Sequence, residues 1–364
     1  MLFLNWRDVA HPEGGGSERY VESVAERLAA AGWEVTLLCA RHAGADTGGP
    51  RSFRVVHAGG GLTVYLAGLW HLLRHRYDVV VDVQNGVPFW SRLVARSPVV
   101  VLVHHVHREV WPVAVGPVAA RLGWLLESQV APRVYRGCRY VTVSDATRAE
   151  LVHLGVRAEA ITVVHNGTEA WAFPDAPKEP RARLCVVGRL VPHKQVEHAI
   201  DVLAALPADL GAELDVVGHG YWEPEIRRHA RRVGVEDRVH LHGYVDDARK
   251  HALMSASWVH LCPSLKEGWG LVCIEAARHG VPTVAYETAG GVAESVRDGE
   301  TGFLVTGPEE MREVTCRLLT GPAERDRVGG AAREFARRFA WDTTAEEFAA
   351  VLDDVLRDAA QRSP

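Results

Sequence analysis

The feature that most limits what this chain can fold into is a repeated alternation of short, strand-like apolar runs with amphipathic helical patterns. It begins with an apolar strand over 2–6, a helix over 20–31, and strands over 34–39 and 53–56. A helix over 62–76, a strand over 78–83, a helix over 88–95 and a strand over 99–103 follow. βαβα order predicts a parallel, doubly wound sheet with ligands held beyond the carboxyl ends of its strands. After the aperiodic, proline-bearing stretch 168–180, a second alternating series starts at Leu184. At 364 residues the chain exceeds what one hydrophobic core usually serves, so two such domains are expected.

Composition narrows the class. With 47% hydrophobic and 24% charged residues the chain reads as a globular protein, and a formal net charge of −5 offers no cationic excess for a nucleic-acid partner. The six cysteines form no C-x-x-C pair and read as reduced, buried thiols. Nineteen histidines include no H-E-x-x-H or similar ligand pair, so no metal and no cofactor is expected. The sequence opens on a strand without a leader pattern, and no apolar run reaches about 18 residues. The expectation is a cytoplasmic protein.

The richest stretch is Ser264 to Glu275, S-L-K-E-G-W-G-L-V-C-I-E. An apolar strand over 258–262 feeds it, and a helix over 271–279 leaves it. Gly268 and Gly270 allow close backbone approach to a ligand, and the amides at the helix start, at Gly270-Leu271, favour an anionic group such as phosphate. Glu267 in the loop and Glu275 one turn into the helix are far enough apart to touch different parts of one elongated ligand. Upstream, Arg189 at a strand end and Lys194 near the next helix form a cation pair suited to a diphosphate. Gly14, Gly15 and Gly16 precede another helix and can cradle a phosphate or admit a sugar. His104, His105 and His107 follow a strand end. Gly218-His219-Gly220 lacks the third glycine of a dinucleotide fingerprint, which argues against NAD. Trp111 to Tyr135 is apolar and helical, and the shortage of lysine and arginine along it favours a core-facing helix over an interfacial one.

Together the glycine loop, the strand-end histidine, the Arg-x4-Lys pair and E-x7-E resemble, in order and near spacing, the retaining family 4 glycosyltransferases of the GT-B fold over roughly residues 1–355. The resemblance implies an α/β architecture of two Rossmann-like domains facing across a cleft. An acceptor-binding domain would span 1–170, a linker 171–182 and a nucleotide-sugar-binding domain 183–340, and a C-terminal helix over 341–364 would return to the first domain. The implied reaction is metal-independent, front-face transfer of a sugar from a UDP- or GDP-linked donor with retention of configuration. Glu267 would face the transferred sugar, and His104, with His105 as rival, would support the sugar or the acceptor hydroxyl. Gly15, Gly16, Arg189, Lys194, Gly268, Trp269, Gly270 and Leu271 would hold the diphosphate and sugar. Glu275 would bind the ribose, and the backbone of Gly243, Tyr244 and Val245 the base. His105, His107, Ser144 and Asn166 fall on the acceptor side. The acceptor would be a sugar, a lipid-linked glycan or a natural product, with peripheral contact at the inner membrane face as a further expectation. Trp269 stands where the family usually has phenylalanine and Ser17 where alanine is common, which leaves the sugar open. A sugar-nucleotide epimerase, or a non-catalytic binding subunit, is the alternative within the same fold.

Overall fold

Runs such as Val80–Gln84 and Val99–Val103 are buried along their whole length rather than on alternate residues. That pattern suits parallel strands covered on both faces. The computed structural model describes residues 1–44, 51–169 and 172–362, which fall into two compact units. The first comprises Met1–Gly167 and the helix from Trp341, the second Thr168–Ala340. Trp171 of the expected linker and the last two residues of the expected terminal helix lie outside the described residues.

Unit 1 carries β1 (Leu2–Leu4), β2 (Thr36–Cys39), β3 (Arg54–His57), β4 (Val80–Gln84), β5 (Val99–Val103), β6 (Arg139–Thr142) and β7 (Ile161–Val163). They pair in the order β3-β2-β1-β4-β5-β6-β7, every pair parallel. Unit 2 carries β8 (Arg183–Val187), β9 (Glu213–Val217), β10 (Val239–Gly243), β11 (Val259–Cys262), β12 (Thr283–Tyr286) and β13 (Gly302–Val305), ordered β10-β9-β8-β11-β12-β13 and again parallel. Each sheet therefore reverses direction once, between β1 and β4 and between β8 and β11. Those reversals open the crevices where such sheets bind ligands. The Trp341–Arg362 helix belongs to unit 1, where Phe348 packs on Phe3 at 5.9 Å and Trp341 on Tyr20 at 5.9 Å between ring centroids.

Several local expectations are overturned. Residues 88–95 form no α-helix, only a 3₁₀ turn at Ser91–Leu93 preceded by Trp90 at φ 61°. The cause is distant in sequence. The fully buried Asp82 carboxylate accepts the amides of Phe89 and Ser91, the Ser91 hydroxyl and the Tyr135 hydroxyl, and so winds the segment around itself. The helix expected over 20–31 starts earlier, at Gly16. The 111–135 segment breaks into Trp111–Ala114, Pro117–Leu125, a π-turn at Leu126–Val130 and Ala131–Val134. It is not core-facing. Ala120 and Gly123 point inward, where a Cβ on Gly123 would meet the Trp111 ring at 2.8 Å, while Val118, Leu122 and Leu125 are exposed by half or more. The stretch expected as a linker is tied along unit 2. Ala176 N–H donates to Ser255 Oγ, Lys178 Nζ to the Ser257 carbonyl, and the Glu179 amide to the Ala256 carbonyl.

Replacing Asp82 by alanine leaves buried donors without an acceptor and is expected to lower the unfolding free energy by about 3 kcal/mol. Denaturant melts check this, and a loss under about 1 kcal/mol would show that the carboxylate does not organise the 88–95 turn.

Candidate functional site

The central site of unit 2 grows out of its chain reversal. The loop leaving β8 carries Gly188, Arg189 and Lys194, and the loop leaving β11 carries Ser264 to Gly270. These are the two strands at which the sheet changes direction. Lys194 Nζ lies 2.5 Å from Glu267 Oε1, which also accepts the Ser264 hydroxyl at 2.7 Å. The Leu265 amide donates to the His193 carbonyl at 2.8 Å and locks the two loops together. Burial works to raise the Glu267 carboxyl, but the Lys194 ammonium and the hydrogen bonds from Lys194 and Ser264 outweigh it and hold the group below the ordinary carboxylate range. Glu267 is therefore a fixed anion, shielded from water and aimed by two donors.

Immediately beyond it, Gly270 caps the Leu271–Arg278 helix at φ 87°. A Cβ there would also stand 2.8 Å from Ser295 Oγ, so glycine is required for both conformation and space. The amides of Leu271 and Val272 have no acceptor among the described residues and form the positive end of the helix. A second loop braces the first: the Glu267 amide donates to the Ala289 carbonyl, and the Gly291 amide to the Glu267 carbonyl. A Cβ on Gly291 would lie 2.1 Å from the Gly268 carbonyl oxygen. A cation, an ordered carboxylate and an open helix N-terminus thus converge on one loop, which can hold an anionic group beside a centre that develops positive charge.

The other expected residues divide. Glu275 is buried, and its carboxylate is paired with Lys250 at 2.9 Å. Arg189 is half-buried on the β8 loop. Gly218 and Gly220 serve close loop packing, since added Cβ atoms would stand 1.9 Å from the Gly188 carbonyl oxygen and 2.2 Å from that of Leu190. Gly243 has φ 66°, and its carbonyl accepts the Gly218 amide, so it is already engaged. Tyr244 is 78% exposed, and Val245 follows β10. Trp269 departs from the expected ligand-facing position: its side chain is buried against Phe339, with ring centroids 4.8 Å apart.

In unit 1, His104 ends β5, buried edge-on against Tyr20 at 5.2 Å, and its Nε2 has no hydrogen-bond partner among the described residues. Burial, with a smaller push from His107, lowers it to about 3, so the ring is neutral. His107 donates to the buried Glu127 carboxylate, which also accepts Trp111 Nε1, and this makes His107 a structural anchor rather than an acceptor contact. His105 lies beside it at 4.1 Å between ring centroids. Ser144 caps the Asp145–His153 helix, its Oγ accepting the Thr147 amide, which commits it to the fold. Asn166 is buried, with Oδ1 unpartnered among the described residues. The glycine loop at 14–16 is not an open anion cradle, because Glu18 Oε2 already accepts the Gly15 amide at 2.7 Å and the Ser17 hydroxyl at 2.9 Å. Gly16 itself faces open space. The residues to which the sequence reading gave no role are Ser264, Lys250 and the Gly290-Gly291 brace. Ser264 opens the richest stretch and the Gly-Gly doublet follows β12, whereas Lys250 carried no signal.

With this geometry in view, the comparisons with known proteins agree. Residues 14–170 match the family model for Glycosyltransferase Family 4, and residues 168–335 that for Glycosyl transferases group 1. The MMP alpha-(1->4)-mannosyltransferase of Mycolicibacterium hassiacum is 32% identical over 301 residues, covering 78% of this chain and 72% of the relative. The chain therefore belongs to the glycosyltransferases. The D-inositol 3-phosphate glycosyltransferase of Streptomyces griseus is 32% identical over 60% of this chain, and the chain spans about half, 52%, of that relative. Two solved structures share the whole architecture, which is the GT-B fold. Anabaena HepE, in complex with UDP and glucose, has a TM-score of 0.79 at 21% identity over 97% of this chain and 99% of its own. Sucrose-phosphate synthase from Thermosynechococcus elongatus has a TM-score of 0.81 at 20% identity over 98% and 99%.

Gly291→Ala is expected to destabilise unit 2 by about 1–3 kcal/mol, because the added carbon meets backbone rather than a flexible side chain. A thermal melt reads the effect, and an unchanged midpoint would mean that the brace yields freely.

Proposed function

We propose that the protein transfers a sugar from a UDP- or GDP-linked donor to an acceptor hydroxyl, with retention at the anomeric carbon and without a divalent metal. The observation that carries this reading is the Lys194–Glu267–Ser264 constellation beside the open N-terminus of the Leu271–Arg278 helix. In the reaction, Arg189, Lys194 and the Leu271 and Val272 amides take up the negative charge of the departing diphosphate. Glu267, kept ionised by Lys194, orients the sugar and stabilises charge developing on it. The acceptor attacks from the leaving-group side, so its proton passes to the departing phosphate oxygen as the new glycosidic bond forms. Glu275 binds the ribose hydroxyls and shares Lys250 with them. Neutral His104 offers a hydrogen bond, not a charge, to a sugar or acceptor hydroxyl. The relatives with transferase names support transfer over epimerisation or binding alone. Their acceptors differ, so a sugar phosphate, a glycan, a lipid-linked glycan or a natural product fits the class.

Unit 1 carries support for peripheral membrane contact. Leu62, at the N-cap, and Leu66, Trp70 and Leu73, along the Thr63–Arg74 helix, are exposed, with the Arg74 guanidinium 3.6 Å over the Trp70 ring. Val118, Leu122 and Leu125 are exposed on Pro117–Leu125. An apolar stripe flanked by arginine and tryptophan is the composition of an interfacial helix. No described helix is long and apolar enough to cross a membrane.

Two variants separate the roles of the two glutamates. Glu267→Gln should leave nucleoside diphosphate affinity nearly intact and lower turnover about a hundredfold or more, whereas Glu275→Ala should weaken nucleotide binding itself. In the same assay an α-linked donor should give an α-linked product, and Mg²⁺ or Mn²⁺ added after EDTA should change the rate less than about twofold. A β-linked product, or turnover that depends on either ion, rejects the mechanism. For the membrane contact, the parent should co-sediment with anionic liposomes, and Leu66→Ser/Trp70→Ser should not. A parent that stays in the supernatant sinks that part.

A further inference from the structure

Outside this site, the strongest concentration of metal-binding chemistry lies at the carboxyl ends of β1, β2 and β3. Cys39 and His57 are direct partners in the β2–β3 register, so their side chains emerge from the same face of the sheet as neighbours. The loop leaving β1 brings Asp8 over them. One ligand atom from each of Asp8, Cys39 and His57 lies within 4.8 Å of the other two. Asp8 and Cys39 are completely buried, and the His57 side chain is 18% exposed.

The carboxylate is incompletely satisfied. Its Oδ2 meets His57 Nε2 at 2.9 Å. Its Oδ1 is buried without a hydrogen-bond donor among the described residues, although His42 Nε2 lies 2.8 Å away. That contact lacks the alignment of a hydrogen bond. His42 Nδ1 accepts the Gly44 amide at 3.1 Å, which leaves the proton on Nε2 facing Asp8. With a proton on that nitrogen, the ring is a neighbour of the carboxylate and not itself a ligand. The surrounding charges point the same way. Arg51 pairs with Glu22 at 2.9 Å and also stands 3.8 Å from Asp8 Oδ2, so two carboxylates share one guanidinium.

We infer that Asp8, Cys39 and His57 bind one zinc-class divalent ion, with a water as the fourth ligand. One dication neutralises one carboxylate and one thiolate. On binding, the Cys39 proton leaves to solvent, and the proton that His57 Nε2 directs at Asp8 Oδ2 is replaced by the metal as the neutral ring takes its Nδ1–H tautomer. Thiolate with imidazole selects zinc or cobalt over magnesium and calcium. Tetrahedral zinc places its ligand atoms about 3.3–3.8 Å apart, so shifts of about 1 Å complete the set. This departs from the expectation of no metal, which rested on short motifs. The three ligands come from three separate segments and leave no motif to read.

Full-length protein, stripped by chelation, is titrated with Co²⁺ and then Zn²⁺. One equivalent of cobalt should bind with a thiolate-to-cobalt charge-transfer band in the near ultraviolet, and zinc should displace it. Cys39→Ser should abolish that band. His57→Gln, on edge strand β3, should weaken zinc binding by at least about tenfold and remove the zinc-dependent rise in melting temperature seen in the parent. A parent that binds no cobalt overturns the inference, as does a band that survives in Cys39→Ser. If that variant does not fold, an unchanged zinc affinity in His57→Gln overturns it equally.

Discussion

The interaction on which the candidate site of unit 2 depends is the ion pair between Lys194 and Glu267. It ties the loop leaving β8 to the loop leaving β11 where the sheet of unit 2 reverses direction. Both side chains are more than four-fifths buried, so neither charge is well solvated alone. Removing one partner from such a pair leaves the other uncompensated, at a cost of about 3–5 kcal/mol, which makes the pair a constraint on geometry more than a source of net stability. Ser264 fills a further acceptor position on the carboxylate, and Gly290-Gly291 closes the backbone beneath it. Loop, helix start and cation therefore hold one arrangement before any ligand arrives, and that preorganisation is what electrostatic catalysis requires.

How much of this was legible in the sequence follows from the range of the forces involved. The alternation of strands and helices is local, and it read correctly through both sheets because parallel strands advertise themselves as unbroken apolar runs. The helix expected over 88–95 failed because Asp82, on a different element, supplies acceptors that a helical ladder could not match. The 111–135 segment was assigned to the core because few lysines and arginines line it. Over Pro117–Leu125 its buried positions turn out to be the small ones, Ala120 and Gly123, the latter set by the bulk of Trp111, and Val118, Leu122 and Leu125 are left outside.

The same distinction holds at the candidate site. Glu267, Lys194 and Gly270 were readable because their chemistry and their place at strand ends coincide. Lys250, the partner of Glu275, was not readable, since it arrives from a different helix and looks like any surface lysine. Ser144 and His107 carried persuasive residue types, yet a helix cap and the buried Glu127 claim them. At Gly14-Gly15-Gly16 the sequence carries its own anion, Glu18, three residues beyond Gly15, and that carboxylate takes the amide a ligand would have used.

The terminal helix has a consequence for biosynthesis. Phe348 and Trp341 pack against Phe3 and Tyr20, and Thr344 donates to the His165 carbonyl, so the unit begun before Thr168–Ala340 is finished by a stretch made after it. Domains tend to fold as units in order of synthesis, and contacts of long sequence separation form slowly. Here Thr168–Ala340 is continuous in the chain and complete while the aromatic face of β1 and its first helix still awaits its cover. The nascent protein thus passes through a stage in which the second unit is whole and the first has its sheet but lacks the helix that covers it.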